Sequence, residues 1–322
     1  MEKKRSILIT GGCGFVGSNL LHYLAQTGQY RLRVLDDLST GKRTYLKDIA
    51  ETEGVAVDLI EGDIRDGDGV DLALKGVDAV VHLAAIAGVP RSVEEPVMTY
   101  EVNVRGTLNL LEACKKEEVD KFVFASSNAV VGEKDPPVDE DVVPDPISPY
   151  GATKLAGEGL CKSYSDSYGI RANALRFANV YGPFSDHKGS VVANFLRAAL
   201  KGEELIIYGD GEQTRDFIHA RDIAKAIELV LHSDCRGEVF QVGTGEEISV
   251  NFLANKITRL ARRSGLPPTN VVHKPPREGD IKRNFTDPSK AKEKLGFEAE
   301  FSLEEGLERL WERKSKQKRG KG

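Results

Sequence analysis

Ile7-Leu8-Ile9-Thr10-Gly11-Gly12-Cys13-Gly14-Phe15-Val16-Gly17 decides how the rest of this chain is read. A short apolar run stops at Thr10. Three glycines follow at G-x-x-G-x-x-G spacing (Gly11, Gly14 and Gly17), and a helix-periodic stretch covers 19–26. Strand, glycine turn and helix in that order bring bare backbone up to a ligand. With no Cβ in the way, the chain turns sharply and approaches a pyrophosphate closely. The helix then presents unpaired N–H groups and the positive end of its dipole to the phosphates. Asp36 closes the second apolar run, nineteen positions beyond Gly17. A carboxylate there accepts hydrogen bonds from adenosine ribose hydroxyls and repels a 2′-phosphate, which favours NAD over NADP. Arg33, Lys42 and Arg43 lie close by in sequence and weaken that preference.

Outward from this turn, β-rich runs over 32–35, 57–60, 77–83, 122–125 and 172–177 alternate with helical patterns, among them 100–116 and 149–168. Such alternation predicts an α/β fold: a Rossmann-like, doubly wound parallel sheet with helices on both faces. The pattern loosens after about residue 179. Loops rich in glycine, proline and charge occupy 181–190, 209–216 and 275–280, between helices expected at 222–231, 250–263 and 303–314. The run over 238–242 is expected to return to the main sheet. We therefore expect a cofactor-binding domain of residues 1–177 plus 221–247. A smaller, mixed C-terminal substrate-binding domain takes 178–220 plus 248–322.

Composition sets the broad class. The 322 residues are 40% apolar and 30% charged, with a net charge of −5 and both signs spread along the chain. That is ordinary for a soluble globular protein and argues against a nucleic-acid binder. Cys13, Cys114, Cys161 and Cys235 show no metal-ligand spacing and suit a reducing, cytoplasmic setting. No run approaches transmembrane length, so no membrane partner is expected, and the first apolar run is too short for a secretory signal. The basic tail from Arg313 onward reads as a solvated helix end.

Chemistry enters with Ser148-Pro149-Tyr150-Gly151-Ala152-Thr153-Lys154. Tyr150 and Lys154 are four apart and share a helical face. A phenol is a poor base at neutral pH, and a nearby ammonium lowers its pKa, so the pair can take a proton from a sugar or alcohol hydroxyl. The spacing alone is weak. Its weight comes from following the fifth strand, whose end carries Ser126-Ser127. Ligands bind beyond the carboxyl ends of the strands in such sheets. Ser127 can hydrogen-bond the reacting hydroxyl and pass on its proton.

Together these residues resemble the extended short-chain dehydrogenase/reductase family, in its NAD-dependent epimerase/dehydratase branch, over nearly the whole chain. The resemblance makes Ser127, Tyr150 and Lys154 the catalytic triad. It sets Gly11, Gly14, Phe15, Val16 and Gly17 of the cofactor loop against NAD. Asp36, Asp37, Ser39, Thr40 and Gly41 match the ribose segment, Asp63 and Ile64 the adenine side. Leu83, Ala84 and Ala85 follow the fourth strand near the cofactor. Asn103 matches a central-helix asparagine, and Ser126, Phe177 and Val180, with Tyr150 and Lys154, complete the NAD contacts. For a nucleotide-sugar substrate the resemblance implies Asn179 and Arg215 at the diphosphate, Arg277 and Asp280 at phosphate and ribose, and Arg91, Ser92, Ser127, Val191 and Asn284 around the sugar. Two guanidinium groups on one diphosphate make physical sense, since each offers a fixed fork of donors. The resemblance also implies a homodimer through the two helices near 100–116 and 149–168.

The branch holds several reactions. Its 4,6-dehydratases carry an Asp-Glu pair after the catalytic serine, and its UDP-glucuronate decarboxylases a glutamate. This chain has Asn128-Ala129-Val130-Val131-Gly132, with no carboxylate for elimination. What remains is epimerisation at C4 of a UDP-hexose through a 4-keto intermediate, with tightly held NAD regenerated in each cycle. UDP-glucuronate epimerisation, another dehydratase or reductase of the branch, and a non-catalytic dinucleotide-binding sensor are the alternatives. Val131 stands where many relatives have tyrosine, which bears on substrate shape. Asn284, where a large tyrosine restricts some relatives to plain hexoses, hints at room for N-acetylhexosamines. His187, Lys188 and Arg91 can meet a uronic carboxylate.

Overall fold

The strand β1, Arg5–Thr10, sits in the middle of the molecule because its side chains are apolar on both faces. Ile7 and Ile9 point into one helical layer and Leu8 into the other, as the two-residue period of a strand requires. A strand covered on both sides belongs inside a parallel sheet. The computed structural model, which describes residues 4–186, 188–267, 269–276 and 281–319, builds that sheet from seven strands. These are β1, β2 (Tyr30–Asp36), β3 (Val57–Glu61), β4 (Ala79–His82), β5 (Lys121–Ser127), β6 (Arg171–Phe177) and the strand Val239–Val242. The order across the sheet is Val239–Val242, β6, β5, β4, β1, β2, β3, with every neighbouring pair parallel. Strand order therefore reverses between β1 and β4, and the glycine turn after β1 opens at that reversal.

One face is covered by helix α1 (Phe15–Thr27), the helix Arg43–Glu53 and the helix Ala220–His232. Leu20, Leu21, Leu24, Ile223 and Ile227 pack there with Ile7, Val34, Val123 and Phe240. The other face carries Gly67–Leu74, Gly106–Lys116 and Pro149–Tyr168. Val70, Leu110, Leu111 and Cys161 cover Leu8, Leu35, Phe122 and Phe124 there. A third apolar cluster lies outside the sheet, among Phe195, Leu196, Leu253, Ile257, Leu307 and Trp311. It holds together the helices Val191–Lys201, Val250–Arg263 and Leu303–Arg319. Short strands frame this second region: Thr214–Arg215 lies between Ile248–Ser249 and Arg283–Asn284, and Leu205–Tyr208 pairs with Val271–Lys274.

Three elements differ from the sequence expectation. The first helix starts at Phe15 rather than 19, because Gly14 itself is its N-cap and the glycine turn runs directly into it. The fourth strand is confined to Ala79–His82. The central helix begins earlier, at Pro96–Tyr100, and passes through a π turn at Glu101–Arg105 before Gly106–Lys116. Ile64 explains the close seating of that helix: a Cβ on Gly106 would stand 2.5 Å from Ile64 Cδ1. No helix among the described residues is long and apolar enough to cross a membrane.

Candidate active site

The glycines of the first turn are required by contact as well as by conformation. Gly11 has φ 69°, and a Cβ there would come within 2.7 Å of the Ala84 backbone nitrogen. A Cβ on Gly17 would meet the Gly11 carbonyl oxygen at 2.4 Å. Gly14 caps α1 without a side chain, and no acidic residue occupies the first helical turn. The N–H groups of Phe15, Val16 and Gly17 have no intrahelical partner at this end. Asp36 closes the turn from the side. Its carboxylate accepts from the Cys13 N–H at 2.9 Å and from the Leu38 N–H at 2.8 Å. Burial raises the Asp36 pKa, and those two backbone donors oppose the rise. The ribose segment is fastened to the same turn: Lys42 N–H donates to the Cys13 carbonyl at 3.0 Å, and a Cβ on Gly41 would meet Cys13 Cβ at 2.8 Å. Asp37 accepts from the Ser39 backbone and hydroxyl, and Ser39 and Thr40 lie exposed beside it. At the far edge Asp63 is ion-paired with Arg65, which holds its carboxyl below the usual range, while Ile64 is buried.

A buried polar chain links this cradle to the helix of Tyr150; sequence reading placed Thr10, His82 and Asn103 near the cofactor but not the bonds that join them. Thr10, at the end of β1, bonds His82 Nδ1 at 2.7 Å, and His82 Nε2 bonds the Thr107 hydroxyl at 2.9 Å. Thr107 donates to the Asn103 carbonyl at 2.6 Å. Its single proton is thereby committed, so His82 must donate through Nε2 and accept at Nδ1. Complete burial, aided by the Lys154 charge, pushes His82 down to about 3, so the ring is neutral. Asn103, inside the π turn, then accepts from Ile86 N–H at 2.8 Å and donates to the Ile86 carbonyl and to the Thr153 hydroxyl. Thr153 donates to the Tyr150 carbonyl at 2.9 Å. Leu83, Ala84 and Ala85 sit between, with Leu83 N–H bonded to the Thr10 carbonyl. His82 belongs to the fourth-strand segment that the resemblance sets near the cofactor, but its partners were not legible, and the usual spacing rules carry no signal for Thr107 or Thr153.

The helix Pro149–Tyr168 starts at the carboxyl end of β5 because Ser148 caps it, accepting from Gly151 N–H at 3.1 Å, with Pro149 in its first turn. Gly151 allows it to touch the turn after Ser127: a Cβ there would meet the Ala129 carbonyl oxygen at 2.3 Å. Tyr150 is half-buried at this junction. Burial raises its pKa, and the nearby Ser127 hydroxyl lowers it. Lys154 is buried one turn on, donating from Nζ to the Ala125 carbonyl at 2.7 Å, with Nζ 5.9 Å from the Tyr150 ring centroid. Burial pushes Lys154 down to about 8, against the pull of the Glu158 carboxylate. Glu158 was not anticipated. It accepts from Arg176 in a buried two-pronged pair, at 2.9 and 2.8 Å, and from the Ser126 hydroxyl. Tyr150, Lys154 and Glu158 thus run down one helical face behind Ser126 and Ser127.

Across the opening lie residues expected on the substrate side. Asn179 is exposed at the end of the sheet, just past the buried Phe177, and Val180 packs near Phe15 and Phe184. Arg215 donates to the Thr214 and Ile281 carbonyls at 2.8 and 2.7 Å. Asn284 is paired in register with Arg215, is buried, and accepts from Asn128 at 3.3 Å. It is therefore packed in place rather than solvated. Asp216 locks this region: fully buried, it accepts from Thr244, Gly245 and Thr286. Val191 opens the helix Val191–Lys201. Ser92 is buried and donates to the Val89 carbonyl, while Arg91 is more open and pairs with Glu95. Arg277, Asp280 and His187 lie outside the described residues. No group of three or more His, Cys, Asp or Glu is placed to hold a metal among the described residues.

A dinucleotide cradle at the reversal point of a parallel sheet, beside a Ser–Tyr–Lys group, defines an α/β enzyme of the dinucleotide-dependent class. Comparison with known proteins narrows this. The profile of the NAD dependent epimerase/dehydratase family matches residues 7–243. A putative UDP-glucose 4-epimerase of Methanocaldococcus jannaschii is 41% identical over 94% of this chain and 96% of its own length. The crystal structure of the Thermotoga maritima UDP-glucose 4-epimerase with UDP-glucose superposes with a TM-score of 0.89 at 38% identity, covering 97% of this chain and 99% of that one. The Thermus thermophilus UDP-glucose 4-epimerase in complex with NAD gives 0.85 at 36%, covering 95% and 98%. The chain belongs to the NAD-dependent epimerase/dehydratase family. The cradle fits that cofactor, since backbone packing at Gly11 and Gly17 that no side chain could share draws the turn tight, and α1 opens on Gly14 with no side-chain cap and no acid in its first turn.

Proposed function

We propose that this chain inverts C4 of a UDP-hexose. The observation that carries the reading is the junction of Ser127, Tyr150 and Lys154 with the turn Asn128–Val130, which contributes no carboxylate for elimination. Tyr150 removes the proton of the C4 hydroxyl, with Ser127 holding that oxygen and the Lys154 ammonium favouring the phenolate. Bound NAD supplies the acceptance of hydride from C4 and its return to the opposite face. The cradle residues Gly11–Gly17, Asp36–Gly41, Asp63 and Leu83–Ala85 hold the cofactor in this reading, Asn179 and Arg215 hold the diphosphate of the substrate, and Arg277 and Asp280 hold its phosphate and ribose. The sheet with its helices binds the cofactor, and the region after residue 178 that leaves the sheet binds the sugar nucleotide. Asn284, packed against Asn128, leaves a smaller wall than a tyrosine and supports room for an N-acetyl group.

A homodimer fits the same reading. Val93, Val97, Met98 and Tyr100 are exposed beside the central helix, with Val97 at 74%, and a second copy would cover such a patch. Four free cysteines suit a reducing cytoplasm. Proton NMR of the purified protein with UDP-glucose, UDP-N-acetylglucosamine or UDP-glucuronate tests the reaction. A new anomeric signal from a C4 epimer is the expected result. Loss of the C6 protons with a keto product would replace epimerisation by dehydration, and no change with any of the three would defeat the proposal.

A further inference from the structure

Lys188 has no ion-pair partner among the described residues. It lies in the loop between the strand Asn179–Tyr181 and the helix Val191–Lys201, half-buried, with Nζ 4.7 Å from the centroid of the Phe15 ring. Among the described residues no carboxylate acts on it, and Asp186, two positions earlier, is paired with Lys314. Burial alone pushes the ammonium down to about 8. A buried charge with no partner is unfavourable, and folded proteins pair such groups or neutralise them. Half-buried on an aromatic face and with no carboxylate acting on it among the described residues, the Lys188 ammonium can pair with an anion that arrives from outside the chain.

Phe15 says where that anion binds. It is the first residue of α1, whose N-cap is Gly14 and whose first turn carries no acid. The Lys188 ammonium and the positive end of the α1 dipole thus stand close together and oppose each other. An anion between them satisfies both. The ring of Phe15 holds the ammonium meanwhile, as an aromatic face does for a cation.

We propose that Lys188 is a diphosphate-binding residue acting with the N-terminus of α1, and that its seat on Phe15 assigns it to the pyrophosphate of NAD rather than to the diphosphate of a nucleotide sugar. The inference rests on cofactor binding and not on which sugar is converted. NADH binding by fluorescence titration and UDP binding by calorimetry, on full-length protein freed of cofactor, test it with Lys188→Met and Lys188→Arg. Lys188→Met is expected to weaken NADH by about tenfold or more and to leave UDP unchanged, and Lys188→Arg to restore most of the loss. The melting temperature without ligand should hold or rise in Lys188→Met, since an unpaired charge is removed, which separates lost binding from lost folding. A fall in UDP affinity in place of NADH affinity would overturn the cofactor assignment and give the residue to the sugar nucleotide. Unchanged affinity for both would overturn the role altogether. Failure of the NMR assay would leave these binding outcomes readable.

Discussion

Tyr150 and Lys154 differ in what surrounds them, and that difference predicts different consequences of substitution. Tyr150 is only half-buried, so Tyr150→Phe removes a hydroxyl with little packing change. Turnover should fall by roughly 10²–10⁴-fold while NADH binding and the melting temperature stay near those of the parent; steady-state assay beside fluorescence titration checks both. Glu158 is the opposite case. Its carboxylate answers a buried arginine, so Glu158→Gln leaves Arg176 uncompensated and should cost about 3–5 kcal/mol of stability. The double change Glu158→Leu with Arg176→Met should recover much of that in urea denaturation. The same Glu158→Gln change withdraws a carboxylate that raises the Lys154 pKa, so the basic limb of the pH–rate profile should move to lower pH. Sequence pattern pointed to Ser127, Tyr150 and Lys154 because their spacing fits a helical face after a strand. Glu158 continues that face by another four residues, yet an acid on a helix is commonplace. Only the buried Arg176 opposite it shows its function, and that pairing joins residues from separate elements.

At the level of elements, the glycine turn, the π turn and the head of the Tyr150 helix are each set by a close approach. Gly17→Ala places a methyl group against the Gly11 carbonyl, so NADH affinity should fall by at least tenfold, as titration would show, with the rest of the sheet intact by circular dichroism. The turn was readable from sequence because glycine marks where a Cβ is forbidden. The π turn was not, since Glu101–Arg105 contains neither proline nor glycine, and the bonds of Asn103 to Ile86 and Thr153 within it join separate elements. Strand positions followed from apolar runs alternating with helical patterns, whereas the order of the strands across the sheet is shown only by their pairing in the structure. The second region was blurred in sequence because its strands are two to four residues long and are held by partners far along the chain.

For the molecule as a whole, His82 gives stability a dependence on pH. Its pKa is near 3 when folded and about 6.5 when unfolded, so the unfolded chain binds more protons between those values. Stability is fully present above about pH 6.5 and declines as pH falls toward 3. Urea midpoints across that window should show the decline, and His82→Gln, which keeps one donor and one acceptor, should flatten it. Equal slopes in both proteins would assign the acid sensitivity elsewhere. Asp216 has a different consequence, one of timing. The cradle strands β1 and β2 and the ribose segment are complete by residue 42, early in synthesis. The donors that satisfy Asp216 come from Thr244, Gly245 and Thr286, and a Cβ on Gly243 would already crowd it at 2.3 Å. A nascent chain emerging from the ribosome can therefore form all seven sheet strands before the last donor to Asp216 exists, and for that interval it must carry Asp216 in water. Truncation anywhere before residue 286 would leave the chain in that half-assembled condition for good.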